Sequence, residues 1–110
     1  MPANDTRGPA GLIAVAAARM REEGLDSAAD ALLASHLVVG YGDSWWDGHD
    51  DYFYDIHLTL TVPPDLMPRL EQDREALGRI LGNLVSFFPD DTGDYRKGVL
   101  ERLDVTSTTT

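Results

Sequence analysis

The feature that most constrains the fold is a strict alternation of apolar and polar residues from Asp51 to Pro63, DYFYDIHLTLTVP. The apolar side chains occupy every second position: Tyr52, Tyr54, Ile56, Leu58, Leu60 and Val62. A spacing of two is typical of a half-buried β-strand and does not line one face of a helix. The residues between them, including Asp55, His57 and Thr59, are predicted to face away from the core. The stretch therefore predicts a central strand that needs partners on its apolar face.

Two helices are predicted before this strand. Residues 10–23 are rich in Ala and carry an apolar stripe, and Gly24 is predicted to end the helix in a left-handed conformation. A short second helix is predicted over Ser27–Ala34, with Leu32 and Leu33 as its apolar anchors. A DNA-binding helix-turn-helix is disfavoured, because the second helix carries no basic residue, Asn or Gln to contact a base edge.

Two further elements are predicted beside the central strand. His36–Tyr41 is rich in β-branched and aromatic residues and predicts a strand that pairs antiparallel with it, with the turn at Asp47-Gly48. After the central strand, Asp65–Phe87 has the apolar stripe of an amphipathic helix. Gly78 and Gly82 lie in its packed half, where glycine is unfavourable, and predict a close approach to the sheet or to the first helix.

The last element permits two interpretations. Val99, Leu103 and Val105 alternate roughly as in a strand, whereas Tyr95, Val99 and Leu103 also fall on one face of a helix. We favour a strand over residues 98–105, because a two-stranded sheet is only marginally stable and a third strand would help.

The predicted order is α-α-β-β-α-β, an α+β fold with a small antiparallel sheet and helices on one of its faces. At 110 residues the chain is predicted to be a single domain over residues 1–110, with flexible segments at 1–8 and 106–110. It contains no Cys and no apolar run of the length that spans a bilayer. We therefore expect a cytoplasmic protein with no membrane association.

The charge of the chain is concentrated in one segment. The formal net charge is −10, and the ten acidic residues between Arg21 and Arg69 face no Lys or Arg within that segment. A negative field repels phosphate backbones, so we expect no direct nucleic-acid binding. It favours a protein partner with a basic surface or a divalent cation, although solubility alone is an equally good interpretation.

The candidate binding surface is the segment Asp43–Asp51, DSWWDGHDD, together with the polar face of the central strand. We predict the segment to be a loop in which at least one of the two adjacent Trp residues is exposed, as is typical of interfaces. The predicted partner-binding residues are Trp45, Trp46, Asp47, His49, Asp50, Asp51, Asp55 and His57.

A divalent-metal site is the alternative. The predicted ligands are Asp47, His49, Asp50, Asp51 and His57, whose oxygen and nitrogen donors suit such ions. An EF-hand is excluded, because alignment on Gly48 places Trp45 and Tyr54 where the third and twelfth ligands must be. No other cofactor is predicted.

Catalysis is disfavoured but open. Asp55 and His57 share the polar strand face and could tune a general base. However, no serine lies in a nucleophile-elbow motif and no Gly-rich loop is placed to hold a phosphate, so no catalytic residue is assigned.

A resemblance adds to this interpretation. It is carried by Tyr41, Asp43, Trp46-Asp47-Gly48, Tyr54, Ile56, Leu58, Leu60, Val62-Pro63 and Leu66. Over residues 36–105 the chain resembles a strand-loop-strand-helix region of bacterial abortive-infection (anti-phage defence) proteins, in which a W-[ND]-G-G turn precedes a Y-x-L-x-L-x-[VI]-P strand. His49 stands where that motif has its second Gly. The resemblance implies a sensing or assembly module and assigns no activity to any residue.

The sequence thus predicts a small acidic interaction or assembly module without assigned catalysis, and the resemblance implies a place in a bacterial defence or regulatory system. It could form a homodimer. A divalent-metal-binding protein or metal-dependent enzyme that uses residues 43–57 remains the alternative.

Overall fold

The computed structural model describes residues 8–46, 48, 52–89 and 95–107. The elements are α1 (Gly8–Glu22), α2 (Asp26–Leu33), β1 (His36–Trp46), β2 (Tyr52–Val62), a 3-10 turn (Pro64–Leu66), α3 (Met67–Gln72), α4 (Arg74–Val85), β3 (Phe88–Pro89) and β4 (Tyr95–Ser107). The predicted α+β class and element order are confirmed. No helix in the described ranges is long and apolar enough to cross a membrane.

The sheet is mixed, so the prediction of a purely antiparallel sheet is wrong. Three long strands lie in the order β1-β2-β4, and the two-residue β3 pairs with the start of β4. β1 pairs antiparallel with β2, whereas β2 pairs parallel with β4. Helices α3 and α4 return the chain to the end of the sheet where β2 began, so β4 runs in the same direction as β2.

The apolar face of β2 is the centre of the core, as the alternation predicts. Ile56, Leu58, Leu60 and Val62 are fully buried. Leu58 lies in register with Val39 on one side and Leu103 on the other. The fully buried large side chains of the helices are Leu12, Met20, Leu32, Leu70, Leu77, Leu81 and Val85. These residues form one cluster with the strand residues, so the helices pack on a single face of the sheet.

The end of α1 is as predicted, but one anchor of α2 is not. Gly24 has a φ of 79°, and the Leu25 amide donates to the Met20 carbonyl, which closes the helix. Leu32 is fully buried, whereas Leu33 is 51% exposed. Successive helical residues are about 100° apart around the axis, so only one of two adjacent leucines faces this core.

The predicted long helix is two helices that meet at Asp73, whose φ of −116° and ψ of 29° depart from helical values. The close approach predicted for its glycines is wrong for Gly78, because a Cβ built there has no neighbour within 4 Å. At Gly82 a Cβ would lie 3.8 Å from Leu100, which is ordinary contact.

β4 confirms the strand interpretation of the C-terminal segment. It spans Tyr95–Ser107, so it begins before and ends after the predicted limits of 98 and 105. Thr106 and Ser107, which were predicted to lie in a flexible tail, pair with Thr61 and Val62 of β2.

An ion pair joins α4 to the turn that follows α1. The Arg79 guanidinium donates to the Glu23 carboxylate, and this hydrogen bond holds the pKa of Glu23 below its ordinary value. Both side chains lie at the surface, so the pair contributes little to the stability of the fold.

Candidate functional site

The face of the sheet opposite the helices is accessible. Strand alternation places Trp45 of β1, Phe53, Asp55 and His57 of β2, and Val99 of β4 on this face. Trp45 and Val99 are each 43% exposed, and the three β2 side chains are half-buried. We call these five residues the open-face cluster.

The two tryptophans lie in β1 and not in a loop. β1 continues through Asp43–Trp46, and a register irregularity between Tyr41 and Ser44 marks a β-bulge. The prediction of a loop from Asp43 is therefore wrong for its first four residues. The prediction that at least one Trp is exposed is confirmed, because Trp45 is partly exposed and Trp46 is 56% exposed.

Trp45 is held in place by two contacts with β2. Its ring stacks on Phe53 with the centroids 4.8 Å apart and an interplanar angle of 18°. Its Nε1 donates to Oδ1 of Asp55 over 3.4 Å. A tryptophan fixed in this way loses little side-chain entropy when a partner covers it, which favours binding.

His57 is partnered by a residue that the sequence did not indicate. Its Nε2 lies 3.3 Å from Oε1 of Glu101 in β4. A Cβ at Gly42 would lie 3.0 Å from the His57 ring, so glycine there leaves room for the imidazole. Asp55 and His57 share one face, as predicted, but each contacts a different residue. Glu101 could not be identified from the sequence, because its position depends on the parallel pairing of β4 with β2.

Four predicted site residues, Asp47, His49, Asp50 and Asp51, lie outside the residues that the structure describes. Gly48, between them, has a φ of 90°, as a turn requires. Among the described residues no group of three or more His, Asp or Glu side chains is placed to hold a metal ion. The metal alternative, which adds His57 to the four residues above, stays a prediction.

Thermal melting checks the metal alternative directly. If the site forms, one of Ca²⁺, Mg²⁺, Mn²⁺ or Zn²⁺ at about 100 times its dissociation constant adds about 2.7 kcal/mol to stability. In a domain of this size that raises the melting temperature by roughly 10 °C or more. His49→Ala should abolish the increase. An unchanged melting temperature with all four ions, after chelator treatment, would contradict the metal hypothesis.

One cleft lies away from the sheet. It is lined by residues of α1 and α4 and of the turn after α1: Arg19, Glu22, Glu23, Arg79, Ile80 and Asn83. It contains none of the predicted site residues, and the Arg79–Glu23 ion pair occupies part of its wall. The open-face cluster is therefore the better candidate site.

Comparison with known proteins gives no match among family models, curated proteins or solved structures. The resemblance to abortive-infection proteins stays a prediction.

Proposed function

We propose that this chain is a small, non-enzymatic protein-interaction module that binds a partner with a basic surface through its open-face cluster. The observation that carries the proposal is an exposed tryptophan, Trp45, fixed on a sheet face that the helices leave accessible. Exposed aromatic side chains at the centre of an interface contribute most of the binding energy in many complexes.

The shape of this surface suits a protein more than a small molecule. The open-face cluster spans three neighbouring strands, which are about 4.8 Å apart, so it extends across the width of the sheet. Val99 lies beside Asp55 in register, so β4 adds one apolar side chain to the edge of this surface. Flat surfaces with an apolar centre and a polar rim are typical of protein interfaces.

Charge favours a basic partner. The chain carries a formal net charge of −10, and Asp55 lies within the open-face cluster itself. Two basic residues of β4 lie beside the cluster, Lys97 in register with Phe53 and Arg102 with His57, and Arg102 lies 3.2 Å from Asp104. The sequence adds Asp47, Asp50 and Asp51 to the segment that joins β1 to β2. Charges of one sign speed the encounter with a partner of the other sign.

The proposal is tested with the chain as bait and quantitative comparison of the retained proteins. Trp45→Ala should weaken retention of a basic partner by roughly tenfold to thirtyfold, the loss expected of a central aromatic residue. Val99→Asp should weaken it as well, because it places a charge in the apolar part of the cluster. Reversal of Asp47, Asp50 and Asp51 to Lys should reduce retention through charge alone.

Leu33→Ala is the matched control, because Leu33 is similarly exposed but lies on α2, on the helical side of the molecule. Its partner retention should equal that of the wild type. Equal retention by Trp45→Ala, Val99→Asp and Leu33→Ala would contradict the proposed surface. Retention that the triple reversal leaves unchanged would contradict the basic character of the partner.

A further inference from the structure

The two long outer strands of the sheet differ in how their edges are protected. β4 carries charged side chains along its length (Lys97, Glu101, Arg102 and Asp104), and β3 pairs with its start. β1, in contrast, pairs with β2 on one side, and no other strand among the described residues pairs with its outer edge. Proteins commonly protect an outer strand with charges, proline, a bulge or a covering element, because its backbone N–H and C=O groups otherwise pair with another chain.

Among the described residues β1 carries two such devices, a bulge and the charged Asp43, and both lie in the second half of the strand. The bulge after Tyr41 interrupts the regular backbone before Ser44. The preceding segment, His36–Tyr41, has regular register with Thr61–Ile56 of β2 and contains no proline and no charged residue other than a histidine. Val38 is 50% exposed within it. A regular apolar edge of this kind is suited to β-sheet extension.

The absence of charge along this edge indicates which kind of chain would pair with it. His36–Tyr41 contains no Asp or Glu, and neither do the six β2 residues paired with it. A basic partner would find no carboxylate there, whereas a second copy of the chain would meet no like charge. In a chain of net charge −10, this neutral two-stranded area lets two copies approach without carboxylates facing each other.

We propose that two copies of this chain pair antiparallel through His36–Gly40 of β1, with Val38 of one copy opposite Val38 of the other. The pair has two-fold symmetry, and the two sheets become continuous. This register keeps the inward-facing residues of both copies on the helical side and covers Val38 with its own equivalent. A shift of the register by two positions would place Val38 opposite Gly40, and the Val38 side chain would stay exposed to solvent. The inference does not depend on the proposed function, because it uses the strand edge and not the open-face cluster.

The mass of the protein in solution tests the pairing. Sedimentation over a range of concentrations should show the mass rising from 12.1 kDa towards twice that value. Val38→Asp should hold the chain at the monomer mass, because two carboxylates would face each other. Val99→Asp is the matched control, since it places the same charge at a similarly exposed valine two strands away, and it should dimerise as the wild type does. A monomer mass at every concentration, or equal loss in both variants, would overturn the proposal.

Cysteine substitution tests the register independently of Val38→Asp. The chain has no native Cys, so Val38→Cys introduces a single thiol. Opposite residues of antiparallel strands have Cα atoms about 4.5–5.5 Å apart, within the range of about 4.4–6.8 Å for a disulfide. Alignment in the dimer gives an effective concentration in the millimolar range, so at micromolar protein Val38→Cys should cross-link roughly tenfold or more faster than Val99→Cys. Equal rates for the two variants would overturn the register.

Discussion

Leu58→Ala is expected to lower the free energy of unfolding by about 2–5 kcal/mol, the range for a buried Leu truncated to Ala. Leu58 is fully buried on the central strand and lies between Val39 of β1 and Leu103 of β4. Its loss leaves a cavity where two strands and the helical layer meet. Because domains of this kind have total stabilities of about 5–15 kcal/mol, the variant should be close to unfolding under mild conditions.

Urea unfolding followed by circular dichroism measures this effect. The midpoint should fall while the slope with urea stays constant, since the surface exposed on unfolding hardly changes. Leu33→Ala is the control: the substitution is the same, but Leu33 is exposed on α2, so its change should stay within about 0.5 kcal/mol. Similar losses in both variants would contradict the assignment of β2 as the centre of the core.

The strand pattern was predictable because it is local. An alternation over residues 51–63 specifies a buried face without knowledge of any neighbour, and Ile56, Leu58, Leu60 and Val62 are buried accordingly. The end of α1 at Gly24 was predictable for the same reason, because glycine favours the left-handed conformation that ends a helix. These features depend on a few adjacent residues only.

The features that sequence reasoning missed depend on long-range contacts. The parallel pairing of β2 with β4 follows from the path of α3 and α4, and no local pattern records it. The contact between His57 and Glu101 depends on that pairing, so Glu101 was absent from the predicted site. Trp45 and Trp46 were assigned to a loop because Asp, Ser and Gly surround them, whereas pairing with Phe53 and Tyr52 extends β1 through both.

The bulge in β1 separates two surfaces with different chemistry. Before it, His36–Tyr41 is a neutral, regular edge that suits a second copy of the chain. After it, Trp45 lies beside Asp55 and contributes to the open-face cluster. Val38→Asp and Val99→Asp act as reciprocal controls for this separation. Val38→Asp should abolish self-pairing and leave partner retention unchanged. Val99→Asp should weaken partner retention and leave self-pairing unchanged.

Gly98→Ala is expected to destabilise the protein, whereas Gly78→Ala is expected to stabilise it. A Cβ at Gly98 would lie 2.5 Å from the Val85 carbonyl oxygen and 2.7 Å from Cγ1 of Ile56. Neither neighbour moves easily, because one is backbone at the end of α4 and the other is fully buried in β2. The Gly98 amide also donates to the Ser86 carbonyl, which fixes β4 close to α4. Overpacking of this kind costs about 1–3 kcal/mol.

Gly78 is the matched comparison, because the same methyl group enters open space there. It lies within α4, where replacing Gly by Ala stabilises a helix by about 0.8–1.0 kcal/mol. The two variants should therefore shift the melting temperature in opposite directions, by roughly 4–8 °C per kcal/mol in a domain near this size. Scanning calorimetry of both variants beside the wild type measures the shifts. Stabilisation by Gly98→Ala would mean that β4 does not lie against α4 at this position, and the parallel pairing of β4 with β2 would then need revision.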